Sequence, residues 1–144
     1  MDRASQSHQL TLIGVGLLLV AVLVGVIVSY LAVPRLALSA HLVGILQGIL
    51  LLVLGLLWDR LNLTRAQSAL AFWLAVYQAA AAFLSNLLAA VLGAGNSVIP
   101  MAAGAAHGTT VQETIITVGL RSAGAALIIF LLLLLWGLRR APAA

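Results

Sequence analysis

The sequence contains no cysteine and no lysine, and its only carboxylates are Asp2, Asp59 and Glu113. Without cysteine there is no disulfide framework, no thiolate nucleophile and no thiolate metal ligand. The three acids are too scattered to supply an acid–base pair from neighbouring positions. All seven cationic residues are arginine, placed singly or in pairs, so no basic stripe follows a nucleic-acid backbone, and nucleic acid is excluded as a partner. A P-loop, a glycine fingerprint after a strand, a His-x-x-x-His pair and an internal repeat are also absent. No serine, histidine and carboxylate can be placed together for conventional hydrolysis, and Ser85-Asn86 lacks an elbow context.

What the chain does have is apolar length. Hydrophobic residues make up 64% of its 144 positions and charged ones 7%, where a soluble domain has about 25% charged. Mean hydropathy is +1.21. Such a surface needs lipid as its solvent. Four stretches each approach or exceed the ~20 residues that cross a hydrocarbon core. They predict helices over about 10–33, 36–58, 66–92 and 111–138. Pro34-Arg35 should stop the first, Trp58-Asp59-Arg60 the second, Gly93-Ala94-Gly95-Asn96 the third, and Trp136, Arg139 and Arg140 the fourth. The tail from Ala141 to Ala144 is expected to be disordered. The first stretch exceeds a signal-peptide core of about 7–15 residues and is expected to be retained. Arg3, Arg60, Arg65, Arg139 and Arg140 fall on one side and only Arg35 on the other, which predicts cytoplasmic termini. The fold class is therefore an all-α integral membrane protein, a single domain (1–144) forming a four-helix transmembrane bundle.

The connection 93–110 combines four glycines, Pro100, Asn96 and His107 with Val98, Ile99 and Met101. It is too apolar for a solvated linker, and its backbone must be buried in protein or face a wet cavity. It reads as a lid over the outer mouth of the helices, with a partly ordered external loop as the alternative.

Polar side chains inside the apolar stretches carry the functional argument. His41 is followed by Gly44 and Gly48 at i+3 and i+7, giving a flat helix surface with an imidazole at one end. A planar cofactor could lie there with the imidazole on its metal. Alternatively, the glycines pack helices closely and His41 is an interhelical hydrogen-bond partner. Gln47, Gln78 and Asn86 are amides that need a partner or a ligand. Gln78 and Asn86 share one helix face, while Tyr77, one turn beyond Trp73, falls nearly opposite Asn86. Arg121, deep in the fourth stretch, must pair with Glu113, with a carbonyl or with an anion such as a propionate; alternatively it marks the true membrane boundary. His8 and His107 read as solvated or capping residues.

Ala40-His41-x-x-Gly44-x-Leu46-Gln47-Gly48, Trp73-x-x-x-Tyr77, Leu87-Leu88-Ala89-Ala90-x-Leu92-Gly93-Ala94-Gly95 and Leu135-Trp136-Gly137-Leu138-Arg139 resemble the hydroxylaminobenzene mutases, which are similar in turn to styrene oxide isomerase. The likeness covers nearly the whole chain. It implies a homotrimer in the bacterial inner (cytoplasmic) membrane, with b-type haem held between protomers and His41 as axial ligand. Ferric haem then acts as a Lewis acid in a redox-neutral isomerisation of a small aromatic substrate, an N-arylhydroxylamine or an aryl epoxide. Cofactor-binding residues under this reading are His41, Gly44, Gly48 and Arg121; catalytic candidates are Gln47 and Asn86, then Tyr77. Two positions depart from the family pattern: Gln47 stands where Asn is usual, and Ala82 replaces an Asn of the third helix. The position of the epoxide branch's Tyr falls on Asn86. Alternatives are a haem-binding subunit without isomerase activity, with His107 as second ligand, and a small transport or structural subunit.

Overall fold

The computed structural model describes residues 2–139; Arg140 and the expected disordered tail lie outside the described residues. Five α-helices make up the fold: α1 (Arg3–Ile27), α2 (Pro34–Leu57), α3 (Arg65–Leu92), the single-turn α4 (Pro100–Ala103) and α5 (Thr110–Arg139). Short 3-10 turns, Val28–Tyr30 and Trp58–Arg60, extend α1 and α2. The four long spans are 27–30 residues each and apolar enough to cross a membrane. At 1.5 Å per residue they reach about 40–45 Å, so their ends extend past a ~30 Å hydrocarbon core or the helices tilt.

The helix limits follow from caps rather than from hydropathy. Asp2 accepts the Ser5 N–H and starts α1 at Arg3, seven residues before the apolar run begins. Pro34 does not terminate α1. It occupies the first turn of α2, where a missing N–H costs nothing, and α1 proper has already ended at Ile27. Thr64 and Gln67 form a reciprocal capping box at the start of α3, and Gly93, at φ 62°, ends it in the left-handed region. Thr109 and Gln112 cap α5 in the same way as Thr64 and Gln67.

The long helices pack in chain order, α1 on α2, α2 on α3 and α3 on α5, with only sparse contact between α1 and α3. The expected bundle is therefore an open row whose edges are α1 and α5. Close approach of α1 and α2 depends on facing glycines: a Cβ on Gly14 would lie 2.8 Å from the Gly48 carbonyl oxygen. Trp58, Phe72 and Phe130 fill the core near the chain termini. There Trp58 Nε1 (3.0 Å) and Ser68 Oγ (2.7 Å) both donate to Oε1 of the buried Gln6. Arg3 donates to the carbonyls of Leu61 and Leu63, and the Asn62 N–H donates to the Gly137 carbonyl. Arg3, Arg60, Arg65 and Arg139 thus gather at one end of the row and Arg35 stands at the other.

At the Arg35 end the 93–110 segment is folded, as its apolar composition requires. Val98, Ile99, Ala102 and Ala103 pack over Leu36, Ala37, Ala89, Ala90 and Ile116. Glu113 holds the segment from inside. Its Oε1 accepts the N–H groups of Gly95 (2.8 Å), Asn96 (3.3 Å) and Gly108 (3.1 Å), and its Oε2 that of Ser97 (3.0 Å). Asn96 Nδ2 closes the loop on the Gly104 carbonyl at 2.8 Å. His107 and His8 are exposed, in keeping with their reading as solvated residues.

Candidate functional site

His41 is the polar side chain with the most specific setting. It lies two turns into α2, half-buried against α1, with Nδ1 2.7 Å from the Ala21 carbonyl oxygen. A carbonyl only accepts, so in the neutral ring Nδ1 carries the proton and Nε2 bears the lone pair. Nε2 has no hydrogen-bond partner among the described residues. By helix periodicity Leu38 and Ile45 share the His41 face, and Ala21 and Gly25 of α1 adjoin the ring. The result is one oriented lone pair on an apolar surface.

Gly44 and Gly48 do not extend that surface. Both are buried: a Cβ on Gly44 would meet Ala21 Cβ at 2.6 Å and the Phe83 ring at 2.8 Å, and one on Gly48 would meet Leu18 at 2.7 Å. Their flat face is covered by α1 and Phe83. The two glycines set helix spacing and offer no open plane within the protomer.

The amides pair along the α2–α3 seam. Gln78 Nε2 donates to Gln47 Oε1 at 2.9 Å and to the Ala75 carbonyl at 3.2 Å. Ser39 Oγ donates to Asn86 Oδ1 at 3.0 Å, and Asn86 Nδ2 donates to the Ala82 carbonyl at 2.9 Å. Six residues separate His41 from Gln47, about 120° around α2 and ~9 Å along it. The imidazole and the amides therefore face different neighbours. Gln47→Leu is expected to strand the Gln78 amide and lower stability by about 1–2 kcal/mol, with Gln47→Leu/Gln78→Leu recovering most of the loss. Unfolding midpoints in detergent would check this, and failure of the double variant to recover would refute a mainly structural pair.

Tyr77 and Arg121 belong to a third surface, the outer α3–α5 face. Ser122 Oγ donates to the Gly119 carbonyl (3.0 Å), so the Tyr77 hydroxyl donates to Ser122 (2.7 Å). Tyr77 is nearly half exposed, at 48%, and faces away from Asn86, as their nine-residue spacing requires. Arg121 is exposed beside Ser122 and forms no hydrogen bond or ion pair among the described residues. Glu113 is not its partner, since that carboxylate is committed to four loop N–H groups. Nor does Arg121 mark the end of the span: Ser122 meets Tyr77 and Gly119 adjoins Ser85, which sets Arg121 level with the middle of α3.

The predicted residues thus occupy three surfaces: His41 between α1 and α2, Gln47 and Asn86 between α2 and α3, Tyr77 and Arg121 on α3–α5. Sequence reasoning missed Gly25 and Ser122. Gly25 carried a weak signal as a glycine inside an apolar helix, and Ser122 carried none that separates it from other hydroxyls. An entirely apolar groove of ≈ 320 Å³ lies between α1 and α3, floored by Leu51 and walled by Gly16, Leu17, Ala80 and Phe83.

Comparison with known proteins identifies the family. Hydroxylaminobenzene mutase HabB of Ectopseudomonas oleovorans is 41% identical over 140 residues, 97% of this chain and 85% of that protein. Hydroxylaminobenzene mutase HabA of the same organism is 38% identical over 104 residues, 72% of this chain and 77% of that protein. No solved structure gives a significant match. The family model described as styrene oxide isomerase matches residues 6–139, and the chain therefore belongs to the styrene oxide isomerase family and is an isomerase.

Proposed function

We propose that this protein rearranges a small N-arylhydroxylamine to an aminophenol in a redox-neutral reaction, with haem b held at His41. The rearrangement breaks the N–O bond and forms a ring C–O bond, leaving atomic composition unchanged, so no electron donor or acceptor is consumed. Relatives named as hydroxylaminobenzene mutases over most of the chain favour this substrate over an aryl epoxide.

The observation that carries the cofactor reading is the His41 ring, with its Nδ1 proton donated to the Ala21 carbonyl and its Nε2 lone pair unengaged on an apolar face. That is the donor chemistry a residue holding haem iron would need. Arg121, a cation without a partner among the described residues, would suit an anionic substituent of the cofactor. When bound, the ferric centre supplies a Lewis acid for the substrate oxygen. Leu38 and Ile45, on the same helix face, give the His41 ring apolar neighbours. Tyr77, whose hydroxyl is oriented by Ser122, is placed to bind or orient a polar substituent.

His41 lies toward the α1 side of the row and Arg121 on the α5 edge. A ring built from head-to-tail contacts would make opposite edges neighbours and bring the two residues toward one interface, as in the trimer that the resemblance implies. The excess of arginine at the end carrying the termini supports a cytoplasmic location for that end.

Detergent-purified protein supplied with haem should show a Soret band and convert phenylhydroxylamine to an aminophenol, followed by liquid chromatography. His41→Ala should lose the band and lower turnover by more than about 100-fold. Wild type that neither binds haem nor turns over arylhydroxylamines would overturn the proposal.

A further inference from the structure

We propose that Gly25 is a positioning residue for His41, admitting the imidazole against the α1 backbone so that its Nδ1–H stays hydrogen-bonded to the Ala21 carbonyl. This rests on the reading of His41 as a ligand and adds the residue that orients it. A Cβ built on Gly25 would lie 2.6 Å from both Cε1 and Nδ1 of His41 and 3.3 Å from its Cγ. No other side chain comes within reach of that Cβ as closely as the ring itself. Ala21, one turn earlier on the same face of α1, supplies the carbonyl 2.7 Å from Nδ1. Ring, vacancy and carbonyl therefore form one unit: the missing side chain at position 25 is the space the ring occupies.

The glycines of α1 are not equivalent in this respect. Gly14 meets backbone atoms of α2, and Gly16 meets nothing within 4 Å. Gly25 alone among them meets an imidazole. A methyl group at Gly14 opposes backbone that cannot yield. At Gly25 it opposes a side chain with two rotatable bonds, so the ring can swing away while the helices keep their places. Gly25→Ala is thus expected to preserve the fold and release the ring from Ala21. Freed from the carbonyl, neutral His41 can hold its proton on either nitrogen, and Nε2 is no longer reserved as a lone-pair donor.

The test is nitrogen NMR of the cofactor-free protein labelled with ¹⁵N-histidine, in detergent, at a pH where His41 is neutral. His41→Ala assigns the signal. Wild type should show a protonated Nδ1 and an unprotonated Nε2, and Gly25→Ala should shift both signals toward an exchanging mixture. With haem added, Gly25→Ala should alter the iron–histidine stretching band more than Gly16→Ala does. A parallel unfolding series keeps the proposal testable if Gly25→Ala folds poorly: the alanine should lower the midpoint beside His41 and not in the His41→Ala background. A wild-type ring protonated on Nε2, or tautomer signals that Gly25→Ala leaves unchanged, would overturn the proposal. Failure of the haem reading would show separately, as absence of the Soret band with the wild-type tautomer intact.

Discussion

Glu113→Ala is expected to release the whole 95–108 segment. One carboxylate accepts four backbone N–H groups, three from consecutive residues 95–97 and one from Gly108, so it ties both limbs of the loop to the first turn of α5. Hydrogen bonds to a charged acceptor are stronger than those between neutral groups, and four on one group act as a unit rather than additively. Loss of the acceptor removes the group that joins residues 95–97 to Gly108. Hydrogen exchange should show the amides of 95, 96, 97 and 108 losing protection together, while the Gln47–Gln78 seam keeps its own. Glu113→Gln should fall between, because its amide keeps one acceptor oxygen and turns a donor toward other donors. Unchanged protection at those four amides would show that packing alone holds the segment.

Two neighbouring glycines of α1 should respond to the same substitution with opposite sign. Gly14→Ala places a methyl group 2.8 Å from the Gly48 carbonyl oxygen and 2.9 Å from the Leu52 nitrogen. Both are helix backbone, so α1 and α2 must separate, at about 1–3 kcal/mol. Gly16→Ala meets nothing within 4 Å and should be neutral or stabilising by up to about 1 kcal/mol through helix propensity. Unfolding midpoints of the two variants in one detergent decide the matter. Equal effects would mean that the α1–α2 spacing does not depend on the Gly14–Gly48 contact.

Much of the architecture was legible because lipid imposes length. Each apolar run long enough to span became a helix, and the apolar, glycine-rich 93–110 stretch had to fold because unsatisfied backbone is costly near a bilayer. Family membership was also legible, through Ala40-His41 and the segments around Trp73 and Leu87. The start of α1 was not read correctly, because hydropathy reports depth in lipid whereas Asp2 and its hydrogen bond report where the helix begins.

The site was legible only as an inventory. Periodicity placed Gly44 and Gly48 beside His41 without saying that α1 and Phe83 would cover the glycines. It placed Asn86 and Tyr77 on opposite sides of α3, and the structure agrees. The Arg121–Glu113 pairing failed because backbone N–H groups compete for a carboxylate as effectively as a guanidinium does, and they leave no mark in the sequence. Which amide meets which depends on helix order across the row, and four similar apolar helices carry little information about that order.

Helix order also has a consequence for biogenesis. Each long helix packs on the one synthesised before it, so α1, α2 and α3 can associate as they leave the translocon, without waiting for distant partners. The exception is the 93–108 segment, whose backbone acceptor lies on the helix that follows it. A nascent chain arrested before Glu113 would hold three assembled helices beneath an unlatched cover, and sealing of that end would be the last step of maturation.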